Sequence, residues 1–533
     1  MKADIIFTNG KVLTVDEKNS QASAVAVKGD EIVAVGTNEQ ISAYCNSDTK
    51  VIDLAGRSLI PGFIDSHMHM AILGMNILAV DCRSPGVKSI EDIKTLLSEK
   101  AKTVPKGTWV RGWGYDQSKL AENRHPTKQD LDEAVPDHPV ILVRTCAHIS
   151  VHNSKSLALG GITDNTPSPD GGIIGKDNGK LNGVMFENAH MDMLKTALPA
   201  EDELRHAVTK ANELLISEGI TQIHDAGGYG QIQVDVMRTM SERGEIDVKI
   251  YNFFFSFIDN LSYVDGYIKK GYNTEMDSAK FKIGPVKLMI DGSSSGPTAA
   301  TLEPYTSNPS DSGIMTMEQE QIDDYVLRAH KAGYQITCHA VGDKAVTAII
   351  DAIEKALLAH PAENRRHRIE HCAIINSELL ARIKKLGIVP VPQPVFLYEF
   401  GDGYVKNYGE TRVSNMFACK SYFDNDIICA GSSDCPITFS NPLLGIHLAV
   451  NRITQSGQAI SQNQRVSVEQ ALRMFTYNGA YSCFQEDRKG SIEVGKAADL
   501  VVLSESLLDC ELDKLRNIKV DMTLIDGEIV YQT

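Results

Sequence analysis

The sequence predicts an α/β chain built around an eight-stranded parallel barrel, with a small β-sandwich domain made from both chain ends. Three observations carry this. Through the middle of the chain, short apolar strands alternate with helical patterns. Three of those helical patterns stop at a glycine that a strand follows at once. Both ends alternate short apolar runs with turn signals instead.

In residues 1–56 the apolar runs are Ile5-Ile6-Phe7, Lys11-Val12-Leu13-Thr14-Val15, Ala24-Val25-Ala26-Val27 and Ile32-Val33-Ala34-Val35. Asn9-Gly10 and Gly29-Asp30 turn the chain between them. The far end repeats the style, with a turn and strand over 490–503 and two more strands at 520–525 and 528–531. Residues 1–56 and 486–533 are therefore expected to share one small β-sandwich domain.

The glycines are Gly219, Gly333 and Gly387, each between a helical pattern and an apolar run. Glycine is favoured just past a helix because it takes positive φ without strain. The helix expected over 202–218 puts Leu204, Ala207, Val208, Ala211, Leu214 and Leu215 on one face. Counting strands at 58–66, 220–225, 248–255, 285–290, 334–338, 367–370, 388–392 and 426–431 gives eight. Eight βα units favour a closed (β/α)8, TIM-like barrel over an open sheet, here spanning 57–485. Residues 82–200 fit no βα unit and read as a long insertion after the first strand, with two helices and strands at 109–113 and 140–143.

Composition narrows the function. The net charge is −16, which disfavours nucleic acid and anionic membrane as partners. No uncharged run is long enough to span a bilayer, and the first residues are too short in apolar character for a signal peptide. The ten cysteines contain no C-x-x-C pair, and several, such as Cys146, Cys338, Cys372 and Cys429, sit in apolar runs. Buried, reduced thiols and a cytoplasmic location are expected.

Chemistry-bearing residues gather at strand ends. His67 and His69 end the first strand at spacing i, i+2, which on a strand puts both on one face. Lys287 lies within the fourth strand, His339 ends the fifth, His371 ends the sixth and Asp434 follows the eighth. In a parallel barrel these ends open on one face. Histidine and carboxylate converging there are a metal-ligand set. Each residue has a plainer reading alone. The histidines could be hydrogen-bonded core residues, and Asp434 could cap the next helix. A lysine between Val286 and Leu288 is costly to bury unless paired or chemically used. All of these plainer readings would have to hold together.

These residues, in this order, resemble the amidohydrolase superfamily of metal-dependent hydrolases, essentially end to end. Gly112-Trp113-Gly114-Tyr115-Asp116, His148 with Asn153-Ser154, Lys287 with Asp291-Gly292, His339-Ala340-Val341-Gly342-Asp343 and Arg368-Ile369-Glu370-His371 resemble its YtcJ-like, N-substituted formamide deformylase-like group (amidohydrolase family 3). The resemblance implies two divalent metal ions, with zinc expected and iron, manganese or cobalt also fitting. His67, His69 and Asp434 would hold the first, His339 and His371 the second, and Lys287, carboxylated by CO2, would bridge them. It implies hydrolysis of a C–N bond in an amide, formamide or cyclic amide by a metal-activated hydroxide, with Asp434 as general acid/base. It further implies a small-molecule substrate and a homodimer as a common arrangement.

Further positions are candidates for substrate contact: Trp113, Tyr115, Arg144, His148, Glu187 and Asp291. Trp113 and Tyr115 read equally as an apolar wall or as core, whereas Glu187 reads more readily as a surface carboxylate. Asp343 reads as a structural residue. Deaminases of the same superfamily use one metal, lack the strand-four lysine and place a glutamate where Gly342 stands here. An esterase or lactonase would use the same site. A non-catalytic regulator is the reading from a different class. The loops over 82–200 and 292–313 carry no recognisable code for the substrate.

Overall fold

A computed structural model describes every residue of the chain except Met1, Cys146 and Ile258. The expectation of a buried thiol at Cys146 lies outside the described residues. Cys338, Cys372 and Cys429 are buried and free.

Seven parallel strands form a sheet nearly closed into a barrel. They are β1 (Phe63–Met68), β2 (Ile220–Asp225), β3 (Lys249–Phe254), β4 (Phe281–Met289), β5 (Ile336–Ala340), β6 (Arg368–His371) and β7 (Val389–Val391). The sheet order is β7-β6-β5-β4-β3-β2-β1, so each strand pairs with its neighbours in sequence. Helices cover the outside. Glu201–Ser217 buries the expected face, with Leu204, Ala207, Val208, Ala211 and Leu215 inside. It packs on the helix Met70–Leu78, which begins directly after His69. Gly74 permits that contact, because a Cβ there would lie 2.0 Å from the carbonyl oxygen of Ala207. The three helix-ending glycines all adopt positive φ.

Two strand expectations change. The run 58–66 is two strands, because it breaks at Gly62. Ser58–Pro61 pairs antiparallel with Leu500–Leu503 in a sheet built from both chain ends, while β1 starts the barrel. The eighth strand, 426–431, forms no ladder. Pro390 and Pro392 flank the seam and have no N–H to give it. Single hydrogen bonds close the gap instead. Ala430 N–H donates to Pro390 O at 3.0 Å, Ser66 N–H to Gly431 O at 3.1 Å and Asp434 N–H to His67 O at 2.7 Å.

The chain ends build two sheets. Glu31–Gly36, Ala24–Lys28, Ile5–Thr8 and Lys50–Asp53 form one. The other runs from Glu528–Gln532 through Leu500–Leu503 and Ser58–Pro61 to Gln21–Ala22. A shared core that includes Phe7, Val25, Leu59, Leu500 and Leu524 joins them. Residues between β1 and β2 form a separate six-stranded sheet with its own core around Ile93, Leu97, Leu131 and Leu142. The expected strands appear there as Val110–Tyr115 and Val140–Arg144. The hairpin of Gly172–Asp177 and Lys180–Glu187 was not foreseen. Its turn is Asn178-Gly179, both at positive φ, a favoured two-residue hairpin turn. No helix among the described residues is long and apolar enough to cross a membrane.

Candidate metal centre and cavity

The barrel brings the strand-end residues together at one end. His67 lies in β1, and His69 follows it at the start of the helix Met70–Leu78. Lys287 is in β4, His339 in β5 and His371 ends β6. Parallel register sets Met289 beside His339 and Ala340 beside His371. Nε2 of His67 and Nε2 of His69 lie 3.3 and 3.4 Å from Asp434 Oδ1. Those separations are long for hydrogen bonds. They suit two ligands of one tetrahedral cation, which at ~2.1 Å each stand roughly 3.4 Å apart. The three donor atoms lie within 4.8 Å of one another, all in buried residues. Among the described residues they are the one group of three or more His, Cys, Asp or Glu side chains with that geometry. His371 and His339 continue the cluster, with ring centroids 5.2 Å from His67 to His371 and 4.4 Å from His371 to His339.

Each imidazole has its other nitrogen occupied, which orients the ring. His67 Nδ1 lies 2.5 Å from Glu370 Oε2, and His69 Nδ1 lies 2.7 Å from the carbonyl of Gly227. His371 Nδ1 lies 2.8 Å from Gln393 Oε1. His339 uses Nε2 instead, 3.1 Å from the carbonyl of Gly292. With oxygen acceptors at these positions, the hydrogens fall there and the remaining nitrogens keep lone pairs for a cation. Buried carboxylates brace the loops that carry the ligands. Asp225 accepts from the N–H of Met70 at 2.9 Å and of Gly227 at 3.0 Å. Asp65 accepts from the N–H of His67 and of Ser433, both at 3.1 Å. His371 and Asp434 hold left-handed backbone, φ 68° and 58°, which costs non-glycine residues about 1–3 kcal/mol each.

The electrostatics favour bound positive charge. Burial lowers the pKa of His69, pushes that of His339 well down and brings that of His371 to about 4, so these rings stay neutral. For His67, burial and Lys287 oppose charge, yet Glu370 and Asp434 outweigh them and raise its pKa. Burial opposes ionisation of Asp434, but contacts from His67 and His69 hold its pKa well below the usual range. Lys287 is buried with Nζ 3.4 Å from His67 Nε2 and 4.9 Å from the centre of the Phe255 ring. Burial depresses its pKa. Among the described residues no carboxylate comes within ion-pair distance of it.

A cavity of 170 Å³ opens on these groups. Of the expected substrate contacts, Trp113 and His148 line it, from the insertion. Glu187 reaches it only through His148, at 2.8 Å. Tyr115, Arg144 and Asp291 stand outside the lining. Tyr115 OH is 2.9 Å from His125 Nδ1, and Arg144 donates to Gln117 Oε1 at 2.6 Å and to Asp116 at 3.2 Å. Asp343 begins the helix Asp343–Ala359 and accepts from the Leu302 N–H at 2.8 Å. A wider cleft of 690 Å³ shares Asn76, Trp113 and Pro436 with the cavity and so borders it. Sequence reasoning missed His190, Tyr229 and Phe257 in the lining, and Glu370 and Gln393 behind the ligands. Only Glu370 left a signal, a charged pair Arg368-x-Glu370 on one face of an apolar strand.

Asp291 is fully buried and accepts the N–H groups of Ala300, Val341 and Gly342 at 3.0, 3.1 and 2.9 Å. Burial pushes its pKa up to about 7, against those hydrogen bonds. A carboxyl raised in the folded state contributes stability that is complete below its ordinary pKa near 4. That contribution is lost as pH rises through about 7. Thermal melts should therefore show Asp291 lowering Tm as pH rises from about 4 to about 7, and Asp291→Asn should flatten that decline. An unchanged slope in the variant would contradict this.

Comparison with known proteins agrees with the geometry. A profile described as the amidohydrolase family matches residues 50–531. The chain is 31% identical to the amidohydrolase-named protein YtcJ of Bacillus subtilis (strain 168), covering 100% of both. It is 29% identical to the N-substituted formamide deformylase of Arthrobacter pascens, over 99% of this chain and 98% of that one. A solved structure of an uncharacterized metal-dependent hydrolase from Pyrococcus furiosus superposes with TM-score 0.77 at 28% identity, covering 96% of this chain and 100% of that one. With its barrel, its strand-end histidines and these relatives, the chain belongs to the amidohydrolase family of metal-dependent hydrolases.

Proposed function

We propose that this chain hydrolyses a C–N bond in a small amide, formamide or cyclic amide, at a centre of two divalent ions with zinc preferred. The observation that carries this is the convergence of His67 and His69 on one oxygen of Asp434, beside a buried lysine with no ion-pair partner among the described residues. His67, His69 and Asp434 would hold one ion, and His339 and His371 a second. Lys287, whose pKa is lowered by burial, would react with CO2 and bridge the two as a carbamate. Such ions acidify water and polarise a carbonyl, which is the chemistry amide hydrolysis requires.

The chain's own groups do the rest. Asp434 is ionised, so it can take the proton of the attacking water. Its low basicity then favours passing that proton to the departing nitrogen. Glu370, Gln393 and the carbonyls of Gly227 and Gly292 keep the imidazoles oriented. Apolar residues of the lining, such as Met191, Leu194 and Phe257, exclude water and strengthen the electrostatics inside. The relative named as an N-substituted formamide deformylase makes formamides the first class to assay.

The test is release of formate and amine from a set of N-substituted formamides, alongside amides and cyclic amides. Turnover should vanish with a chelator and return with zinc or manganese. Turnover indifferent to chelation would contradict the metal-dependent reading, and no cleavage in any of the three classes would contradict the C–N reading.

A further inference from the structure

The insertion supplies one wall of the cavity, and that wall is mostly apolar: Trp113, Val143, Met191, Leu194 and Leu198. His148 is set into it and held with unusual care. Its carbonyl accepts the Glu187 N–H at 2.9 Å, and its Nδ1 lies 2.8 Å from Glu187 Oε2. Glu187 makes this contact from φ 50°, ψ −121°, a conformation non-glycine residues avoid. The preceding residue, Ala147, also holds positive φ, 59°.

A buried chain of side chains pins that turn. His190 donates to the backbone of Ala147, and its Nδ1 lies 2.8 Å from Ser150 Oγ. Ser150 Oγ lies 2.7 Å from His152 Nε2, and His152 Nδ1 lies 2.7 Å from Ser156 Oγ. The result is one imidazole fixed at the cavity surface. In the neutral ring a carboxylate acceptor at Nδ1 places the hydrogen there, so Nε2 offers a lone pair.

We propose that His148 is a specificity-determining residue that selects amides bearing an N–H. Nε2 accepts the substrate's amide N–H while the N-substituent packs on the apolar wall. Glu187 is a positioning residue that fixes the tautomer. The assignment rests on the C–N hydrolase reading above. A tertiary amide would put carbon against this half-buried lone pair at the cavity wall and leave it unpaired, which sites built to hydrogen-bond a substrate N–H disfavour. A cavity of 170 Å³ gives a ligand at Asp434 little room to avoid this wall.

The experiment uses N-propylformamide and N-methyl-N-propylformamide on the metal-loaded, full-length chain. Affinity is read by calorimetry and kcat and KM by formate release, for the wild type, His148→Ala and Glu187→Gln. Metal content and Tm are measured in parallel. The wild type should prefer the N–H compound by about tenfold or more. His148→Ala should bring the ratio to about one, and Glu187→Gln to a value between, all with metal content and Tm unchanged. The change should appear in Kd and KM more than in kcat. A ratio equal in wild type and His148→Ala, or a wild type that binds both compounds alike or neither, overturns the role of His148. Selective binding without cleavage upholds His148 and counts against the hydrolase reading alone.

Discussion

Replacing Glu370 with alanine should destabilise the chain by about 3–5 kcal/mol, because it strands a buried arginine. Glu370 and Arg368 are both fully buried. Arg368 Nε donates to Glu370 Oε1 at 2.8 Å, and Thr337 Oγ1 donates to the same oxygen. The guanidinium also reaches His224 Nδ1 at 2.9 Å and the carbonyl of Ser66 at 2.6 Å, so it is fixed in place and cannot follow the lost charge to solvent. The same substitution frees His67 Nδ1, and loss of such an outer partner typically weakens metal binding about 10–100-fold. Denaturant titration of the metal-free variant separates the first effect from the second, which competition with a chromogenic chelator measures. A loss below about 1 kcal/mol would contradict a buried, strictly paired network.

Lys287→Ala should lower kcat/KM by about a thousandfold or more and reduce metal content to one ion per chain or fewer. The side chain is buried among the strand-end histidines, and its neighbours are His67 and the Phe255 ring. A lysine in that position serves neither packing nor ion pairing well, and the substitution removes what would bridge the two halves of the site. A variant that keeps two ions and full turnover would remove Lys287 from the centre.

Much of the site was legible because candidate ligands at strand ends follow local rules. His67 and His69 are two apart on a strand, so both rings reach Asp434, and apolar runs announced the strands carrying His339 and His371. The groups behind them were hidden because they act across hundreds of residues: Glu370 on His67, Gly227 on His69 and Gly292 on His339. The eighth strand was over-read, since apolar character over 426–431 says nothing of the prolines opposite it. Gly62 was under-read, because only the fold shows that a Cβ there would lie 2.2 Å from Thr221 Oγ1 of β2. Within the insertion, Asn178-Gly179 was a readable hairpin signal, whereas placement of Trp113 and His148 on the cavity depends on how that whole sheet docks.

The most direct measurement is the metal content of the purified wild-type chain, produced with zinc and bicarbonate and read by plasma mass spectrometry. About two ions per chain are predicted, with His67, His69, His339, His371 and Asp434 as the proposed ligands and Lys287 as the proposed bridge. A single ion would contradict the bridged pair, and a chain that takes up none would contradict the metal centre itself.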